Sequence, residues 1–169
     1  MAINEQEIQE IVRSVLKGMG TTAAAPAAPK APEKKLLGIF ETADEAIAAA
    51  KAAQKEIQPM PLEFREKIIA NIRKKTLENA KLLSELAVEE TGMGNVGHKI
   101  IKHQLVAEKT PGTEDLKTIA WSGDRGLTLT EMGPWGVIGA VCPSTNPTCT
   151  VICNSIGMLA AGNAVVFMP

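Results

Sequence analysis

The loop over residues 142–148, Cys-Pro-Ser-Thr-Asn-Pro-Thr, concentrates the side chains of this chain of 169 residues that could do chemistry. It follows an apolar run typical of a buried strand, and open α/β sheets bind ligands beyond the carboxyl ends of their strands. Its hydroxyls, its amide and the start of the next helix suit a nucleotide or an oxyanion. A structural connection, with the Asn146 amide capping the loop, is the alternative. The glycine fingerprint G-x-G-x-x-G does not follow the strand.

Three cysteines, Cys142, Cys149 and Cys153, lie within or just after this loop. An odd, clustered set in an apolar stretch does not fit a disulfide framework, which favours a reducing cytoplasm. Cys149 and Cys153 are four residues apart on a predicted apolar helix, so we expect both in the core. We expect no metal site, because no close Cys-x-x-Cys pair, histidine or carboxylate accompanies them.

A strand–helix–strand unit must position the loop. Residues 136–141 and 164–168 read as buried strands, and residues 148–161 as a helix of small apolar residues, which together predict a parallel βαβ unit. From Gly126 to the end of the chain the only charged residue is Glu131. We therefore expect protein to cover both faces of this unit, as in an incomplete part of a larger domain.

Three helices are predicted before this unit, over residues 42–58, 61–91 and 96–108, and a strand is predicted over residues 127–131. Thr42 and Glu45 form a capping-box pattern at the start of the first helix. His98 and His103 are five apart on the charged third helix and do not share a face well, so we expect them at the surface.

The two tryptophans of the chain, Trp121 and Trp135, stand outside these helices. We expect them to pack against other side chains rather than to serve as stacking platforms.

The first 36 residues are organised differently. Residues 3–19 predict an amphipathic helix with one continuous apolar stripe, formed by Ile8, Ile11, Val12, Val15, Leu16 and Met19. Residues 20–36 form an Ala/Pro linker that predicts an extended tether. A lone helix of this length is marginal in water, so a partner that accepts its stripe would stabilise it.

The composition excludes several classes of protein. A net charge of −1 gives no electrostatic reason to bind nucleic acid or an anionic membrane surface. The acidic N-terminus does not fit a secretory signal, and no stretch is long and apolar enough to suggest a membrane span.

Two segments carry a family resemblance: Pro134-Trp-Gly-Val-Ile-Gly-Ala-Val-Cys-Pro-Ser-Thr-Asn-Pro147 and Leu159-Ala-Ala-Gly-Asn-Ala-Val-Val-Phe-Met-Pro169. They resemble the cofactor-binding signature of the aldehyde dehydrogenase superfamily. The usual loop is Pro-Trp-Asn-Phe-Pro-like, and the usual strand ends in Lys-Pro. The departures here, Ser-Thr-Asn-Pro and Met-Pro, are similar to the CoA-acylating branch, which includes propionaldehyde and acetaldehyde dehydrogenases. The resemblance covers residues 37–169, including residues 40–51 and 89–94.

The resemblance implies an α/β, aldehyde-dehydrogenase-like fold. N-terminal helices would precede the first βαβ unit of an incomplete Rossmann-type nucleotide-binding domain. It also implies that Asn146 helps to hold the thiohemiacetal oxyanion, as a neutral donor can, and that four residues border the NAD cofactor: Cys142, Pro143, Ser144 and Thr145. The nucleophilic cysteine of the family would lie after Pro169, since none of the three cysteines matches its motif.

The implied function is that of the N-terminal part of an oxidoreductase that converts a short-chain aldehyde, NAD and CoA to acyl-CoA and NADH. We expect the chain alone to be inactive and the full-length protein to be a homo-oligomer. Residues 3–19 with their linker resemble the encapsulation peptides of bacterial microcompartments, which implies a shell protein as partner and the compartment lumen as location.

Three alternatives stay open. The enzyme could be a non-acylating aldehyde dehydrogenase that releases a free acid. The chain could be a non-catalytic short form that only binds a shell. The N-terminal helix could also be a frayed extension, or could dock on a neighbouring subunit.

Overall fold

The computed structural model describes residues 37–168 and, before them, Glu10 alone. Its elements, in chain order, are α1 (Ala43–Ile57), α2 (Leu62–Thr91), α3 (Val96–Lys109), a 3₁₀ turn (Thr113–Asp115), β1 (Ile119–Gly123), β2 (Gly126–Thr130), β3 (Val137–Val141), α4 (Pro147–Ala160) and β4 (Ala164–Met168). The targeting helix predicted over residues 3–19 and the linker over residues 20–36 lie outside the described residues and stay predictions.

The three predicted helices that precede the strands are confirmed, and so are their ends. At the start of α1, the Glu45 N–H donates to Thr42 Oγ1 and the Thr42 N–H donates to Glu45 Oε2, both at 3.3 Å, which is the predicted capping box. Helix α2 ends at Gly92, whose left-handed φ of 64° suits glycine. Helix α3 begins after Asn95, whose side chain accepts from the His98 N–H.

Strands β3 and β4 pair in parallel, and α4 connects them, which confirms the predicted βαβ unit. The register runs from Val137 opposite Ala164 to Val141 opposite Met168. Both strands therefore end at the same edge of the pair, which is where ligands of such sheets bind.

Strands β1 and β2 form an antiparallel hairpin in which Trp121 lies opposite Thr128. The prediction found only the second strand, because Leu-Thr-Leu-Thr in β2 alternates apolar and polar residues, whereas Ile-Ala-Trp-Ser-Gly in β1 does not. Among the described residues, Trp121 and Trp135 are both exposed, Trp135 to 93%, so the expectation that they pack is wrong here.

The core lies where α2, α3 and α4 meet. Its buried cluster consists of Ile69, Ile152, Ile156 and Ala160. The two-stranded sheet is covered less completely than its apolar sequence predicts. In β3 only Ala140 is buried, while the side chain of Val141 is 74% exposed. Residues 37–168 therefore leave part of this sheet uncovered, as expected for an incomplete part of a larger domain.

In the part of the chain that the structure describes, every helix is too short or too polar to cross a bilayer.

Candidate active site

The predicted site residues form a turn at the carboxyl end of β3. The Cys142 N–H donates to the carbonyl oxygen of Met168 at 2.9 Å, which ties the start of the loop to the end of β4. The Asn146 N–H donates to the carbonyl oxygen of Pro143 at 3.1 Å and closes the turn. Ser144 and Thr145 stand exposed at its apex. The five residues named from the sequence are therefore contiguous at this edge of the parallel pair.

Asn146 is the N-cap residue of α4, but its side chain does not cap the helix. Its backbone is well anchored, because its carbonyl oxygen accepts from the Thr150 N–H at 3.2 Å and from Thr150 Oγ1 at 2.7 Å. The residue is half-buried, with φ −152° and ψ 54°. The helix thus fixes the main chain of Asn146, while its side-chain amide makes no capping hydrogen bond to the helix.

The first turn of α4 adds further donors beside this amide. Pro147 occupies the first helical position and has no N–H, so the donors of this turn are the N–H groups of Thr148 and Cys149. The helix dipole gives this end a partial positive charge. A neutral amide and two amide N–H groups can stabilise negative charge that develops on an oxygen atom near them.

His103 supports this turn from α3, although the spacing argument had predicted a surface residue. That expectation is right for His98, which is exposed, and wrong for His103, which is 1% exposed. A spacing of five residues shows that His98 and His103 do not share a helix face, but it does not show that either face is exposed to solvent. Lys99, His103 and Ala107 form the buried stripe of α3. In the sequence, His103 falls at helical spacing with the apolar Val96, Ile100 and Ala107, and this pattern was the available signal.

The ring nitrogens of His103 are both hydrogen bonded. Nδ1 lies 2.8 Å from the carbonyl oxygen of Lys99 and 3.1 Å from Ser84 Oγ. Nε2 lies 2.8 Å from Thr148 Oγ1. A carbonyl can only accept, and Ser84 already donates its proton to the carbonyl oxygen of Ala80 at 2.7 Å. These partners assign a proton to Nδ1, so that in the neutral ring Nε2 accepts from the Thr148 hydroxyl.

Asn163, read from the sequence only as part of a turn, holds the entry to β3. Its Oδ1 accepts from the Trp135 N–H at 2.6 Å and from the Gly136 N–H at 2.9 Å. Asn163 is 3% exposed, and the Ala164 N–H beside it donates to the carbonyl oxygen of Gly136 at 2.9 Å. The start of β4 therefore fixes the strand that carries the loop. The Ala-Gly-Asn part of the resemblance was the available signal.

The cysteines differ in burial. Cys149 is buried, and this burial raises the pKa of its thiol more than the nearby Lys102 and Lys99 lower it, which makes it a poor nucleophile at neutral pH. Cys153 is exposed, so the core expectation is right for Cys149 and wrong for Cys153. Cys153 lies at the edge of the buried stripe of α4. Among residues 37–168 and Glu10, no cluster of three His, Cys, Asp or Glu side chains could hold a metal ion.

Comparison with known proteins gives a consistent family. A model described as the aldehyde dehydrogenase family matches residues 37–169. An acetaldehyde dehydrogenase (acetylating) of Bilophila wadsworthia is 51% identical, and the match covers 100% of this chain and 36% of that protein. A propanal dehydrogenase (CoA-propanoylating) of Salmonella typhimurium is 44% identical, over 99% of this chain and 35% of that protein.

A solved structure shares the fold. It is a propionaldehyde dehydrogenase from the fucose utilisation bacterial microcompartment of Clostridium phytofermentans. It is 68% identical, with a TM-score of 0.75 over 78% of this chain and 30% of that chain. The α/β fold predicted from the sequence is confirmed. The chain spans about a third of the length of the curated relatives it matches.

Proposed function

Because this chain belongs to the aldehyde dehydrogenase family, we propose that it is the N-terminal part of a CoA-acylating aldehyde dehydrogenase. The full-length enzyme would convert a short-chain aldehyde, NAD and CoA to acyl-CoA and NADH, and would be a homo-oligomer. The observation that carries the acylating assignment is the match of nearly the whole chain to acetylating and CoA-propanoylating enzymes. The nucleophilic cysteine would come from the part of those enzymes that this chain does not span.

Asn146 is the residue of this chain that we assign to catalysis. Attack of a thiolate on the aldehyde carbonyl converts its oxygen to an alkoxide, and a fixed neutral donor stabilises that charge without giving up a proton. The geometry supports the role, because the main chain of Asn146 is anchored to Thr150 while its side chain is not used as a cap.

The cofactor would lie against the turn formed by Cys142, Pro143, Ser144 and Thr145. The turn fits a nucleotide, since it stands at the carboxyl edge of a parallel strand pair, carries two exposed hydroxyls and borders the N-terminus of α4. When bound, NAD supplies the hydride acceptor. The residues of the turn bind and orient it, and the half-buried Cys142 contributes mainly its backbone.

The test uses an enzyme that contains the missing part. In the segment-exchange enzyme, residues 37–168 of this chain replace the matching segment of the Clostridium phytofermentans propionaldehyde dehydrogenase. We expect NADH formation from propionaldehyde that requires CoA. Asn146→Ala should lower kcat roughly 10²- to 10³-fold, the usual cost of losing one oxyanion donor. Asn154→Ala, on the same helix but away from the turn, is the matched control.

The outcomes separate the candidate functions. Oxidation of the aldehyde without CoA, with release of free acid, would favour the non-acylating alternative. Loss of no more activity in Asn146→Ala than in Asn154→Ala would refute the oxyanion role.

We further propose that residues 3–19 are an encapsulation peptide that binds a microcompartment shell protein, which would locate the enzyme in the compartment lumen. Two findings support this. The match to the Bilophila wadsworthia enzyme covers the whole chain and so includes residues 1–36. The solved relative comes from a bacterial microcompartment.

The targeting proposal is tested by charge placed on or off the apolar stripe. Ile11→Asp with Val15→Asp should abolish co-sedimentation of the protein with shell proteins, because the charges lie on the face that would be buried. Gln6→Asp with Ser14→Asp adds the same charge to the opposite face and should leave co-sedimentation intact. Association that survives deletion of residues 1–20 would refute targeting, and would also exclude the shell-binding short form.

A further inference from the structure

We propose that His103 is a positioning residue, which acts through Thr148 to hold the first turn of α4 and thereby to orient the side chain of Asn146. This inference rests on the oxyanion role proposed above for Asn146. It adds a helix to the active site whose sequence bears no resemblance to a catalytic motif.

The turn is held from α3 on both sides of Asn146. After it, the Thr148 hydroxyl donates to His103 Nε2 at 2.8 Å. Before it, the Lys99 ammonium lies 3.4 Å from the carbonyl oxygen of Thr145, a long and weaker contact. Lys99 and His103 are both buried and lie one turn apart on α3. The backbone that carries Asn146 is thus fixed at the residue before it and at the second residue after it.

His103 itself has little freedom to move. It is 1% exposed, and its Nδ1–H is directed at the carbonyl oxygen of Lys99. Ser84 Oγ of α2 also lies beside Nδ1 and donates its own proton to the carbonyl oxygen of Ala80. A buried network in which every group has a partner is rigid. The single hydroxyl proton of Thr148 therefore meets a fixed acceptor, and the helix start is held at a defined distance from α3.

The competing explanation is that these hydrogen bonds only satisfy polar groups in the core. Both explanations predict a less stable protein when Thr148 loses its hydroxyl, because Nε2 of His103 would be left without a donor. They differ for catalysis. A positioning residue lowers the rate of the chemical step, whereas simple core satisfaction leaves the rate of the folded enzyme unchanged.

The experiment measures kcat and KM for propionaldehyde in the segment-exchange enzyme, with thermal unfolding alongside. Thr148→Val, which preserves shape, should lower kcat about tenfold with little change in KM, since misplacement of a transition-state donor costs rate rather than ground-state binding. Thr148→Ser restores the hydroxyl and should recover kcat to within about twofold. Thr148→Ala serves as a second variant if the valine is not accommodated.

Thr76→Val is the matched control. Thr76 is buried on α2 and bonds only to the carbonyl oxygen of its own helix, at Ile72, so this variant removes a buried hydroxyl outside the network. We expect its kcat to stay within about twofold of the parent enzyme even if its melting temperature falls. An equal loss of kcat in Thr76→Val and Thr148→Val would overturn the proposal.

A double-mutant cycle decides whether Thr148 acts through Asn146. In the Asn146→Ala background, Thr148→Val should have no further effect on kcat, because there is no amide left to orient. The same tenfold loss in that background would refute the inference. A large loss in Asn146→Ala with none in Thr148→Val would refute this inference alone. No loss in Asn146→Ala would refute the oxyanion role and this inference together.

Discussion

Replacement of Asn163 tests whether the start of β4 holds the strand that carries the proposed active-site turn. Its Oδ1 accepts from two backbone N–H groups, at 2.6 Å from Trp135 and 2.9 Å from Gly136. Asn163→Ala removes both acceptors at once. Asn163→Asp keeps an oxygen at the same position, and its charge strengthens hydrogen bonds to N–H donors.

The expected magnitude follows from the exposure of the donors. A buried donor that loses its partner costs about 1–3 kcal/mol, so two fully buried donors would cost about 2–6 kcal/mol. Trp135 is exposed and Gly136 is half-buried, which lets water reach the freed N–H groups. We therefore expect the low end, about 2 kcal/mol, which is roughly a 30-fold change in the local opening equilibrium.

Hydrogen exchange followed by mass spectrometry of the segment-exchange enzyme measures this opening directly. Peptides that contain β3 should exchange roughly 30-fold faster in Asn163→Ala, as derived above, and close to the parent rate in Asn163→Asp. Asn154→Ala provides the control for loss of an asparagine elsewhere in the unit. If Asn163→Asp exchanges as fast as Asn163→Ala, the acceptor role assigned to Oδ1 is wrong. Unchanged exchange in Asn163→Ala would refute the clamp itself.

Three further predictions concern residues away from the turn. The pKa of Glu114 is lowered by N–H donation from its own backbone and from Gly112, then by Arg73. The ionised form of Glu114 therefore adds stability above the unfolded pKa, and this stability is lost as pH falls through the folded pKa. Glu114→Gln should lower the melting temperature slightly at pH 7, and its difference from the parent protein should disappear in acid. A difference in melting temperature that does not depend on pH would contradict this. Gly92→Ala should lower the free energy of unfolding, measured with denaturant, by about 1–2 kcal/mol. The cost comes from left-handed backbone strain alone, because no other atom lies near the added Cβ. A stabilised variant would show that the C-cap is not left-handed. Cys149→Ala should leave the kcat of the segment-exchange enzyme within about twofold, and complete loss of activity in a folded variant would contradict the exclusion of this cysteine as nucleophile.

Local chemistry accounts for the parts of the fold that the sequence predicted. The capping box of Thr42 and Glu45, the stop at Gly92 and the apolar run of β4 each depend on residues within a few positions of one another. Strand β1 is not predicted because its residues, Ile-Ala-Trp-Ser-Gly, show no alternation of apolar and polar side chains, unlike the Leu-Thr-Leu-Thr of β2.

The exposed faces of the βαβ unit have a similar origin. Its sequence is nearly free of charge, which predicts cover on both sides, yet Val141 and Met168 are exposed among the described residues. Burial of a strand depends on neighbours far away in the chain, and the chain spans about a third of the length of its relatives. The apolar sequence therefore indicates that the unit is suited to burial on both faces, while the structure shows only the burial that residues 37–168 provide.

The proposed active-site turn and the groups that hold it differ in how they can be recognised. The turn residues are contiguous, so the family resemblance over residues 134–147 could assign the proposed role of Asn146 from the sequence. The groups that hold the turn come from other helices: His103 is separated from Thr148 by 45 positions, and Lys99 from Thr145 by 46. The residues of α3 by themselves do not predict that its buried stripe packs against the start of α4. A motif can thus suggest the donor that we propose for the oxyanion, but only the packing of α3 against the βαβ unit reveals the groups that hold its turn.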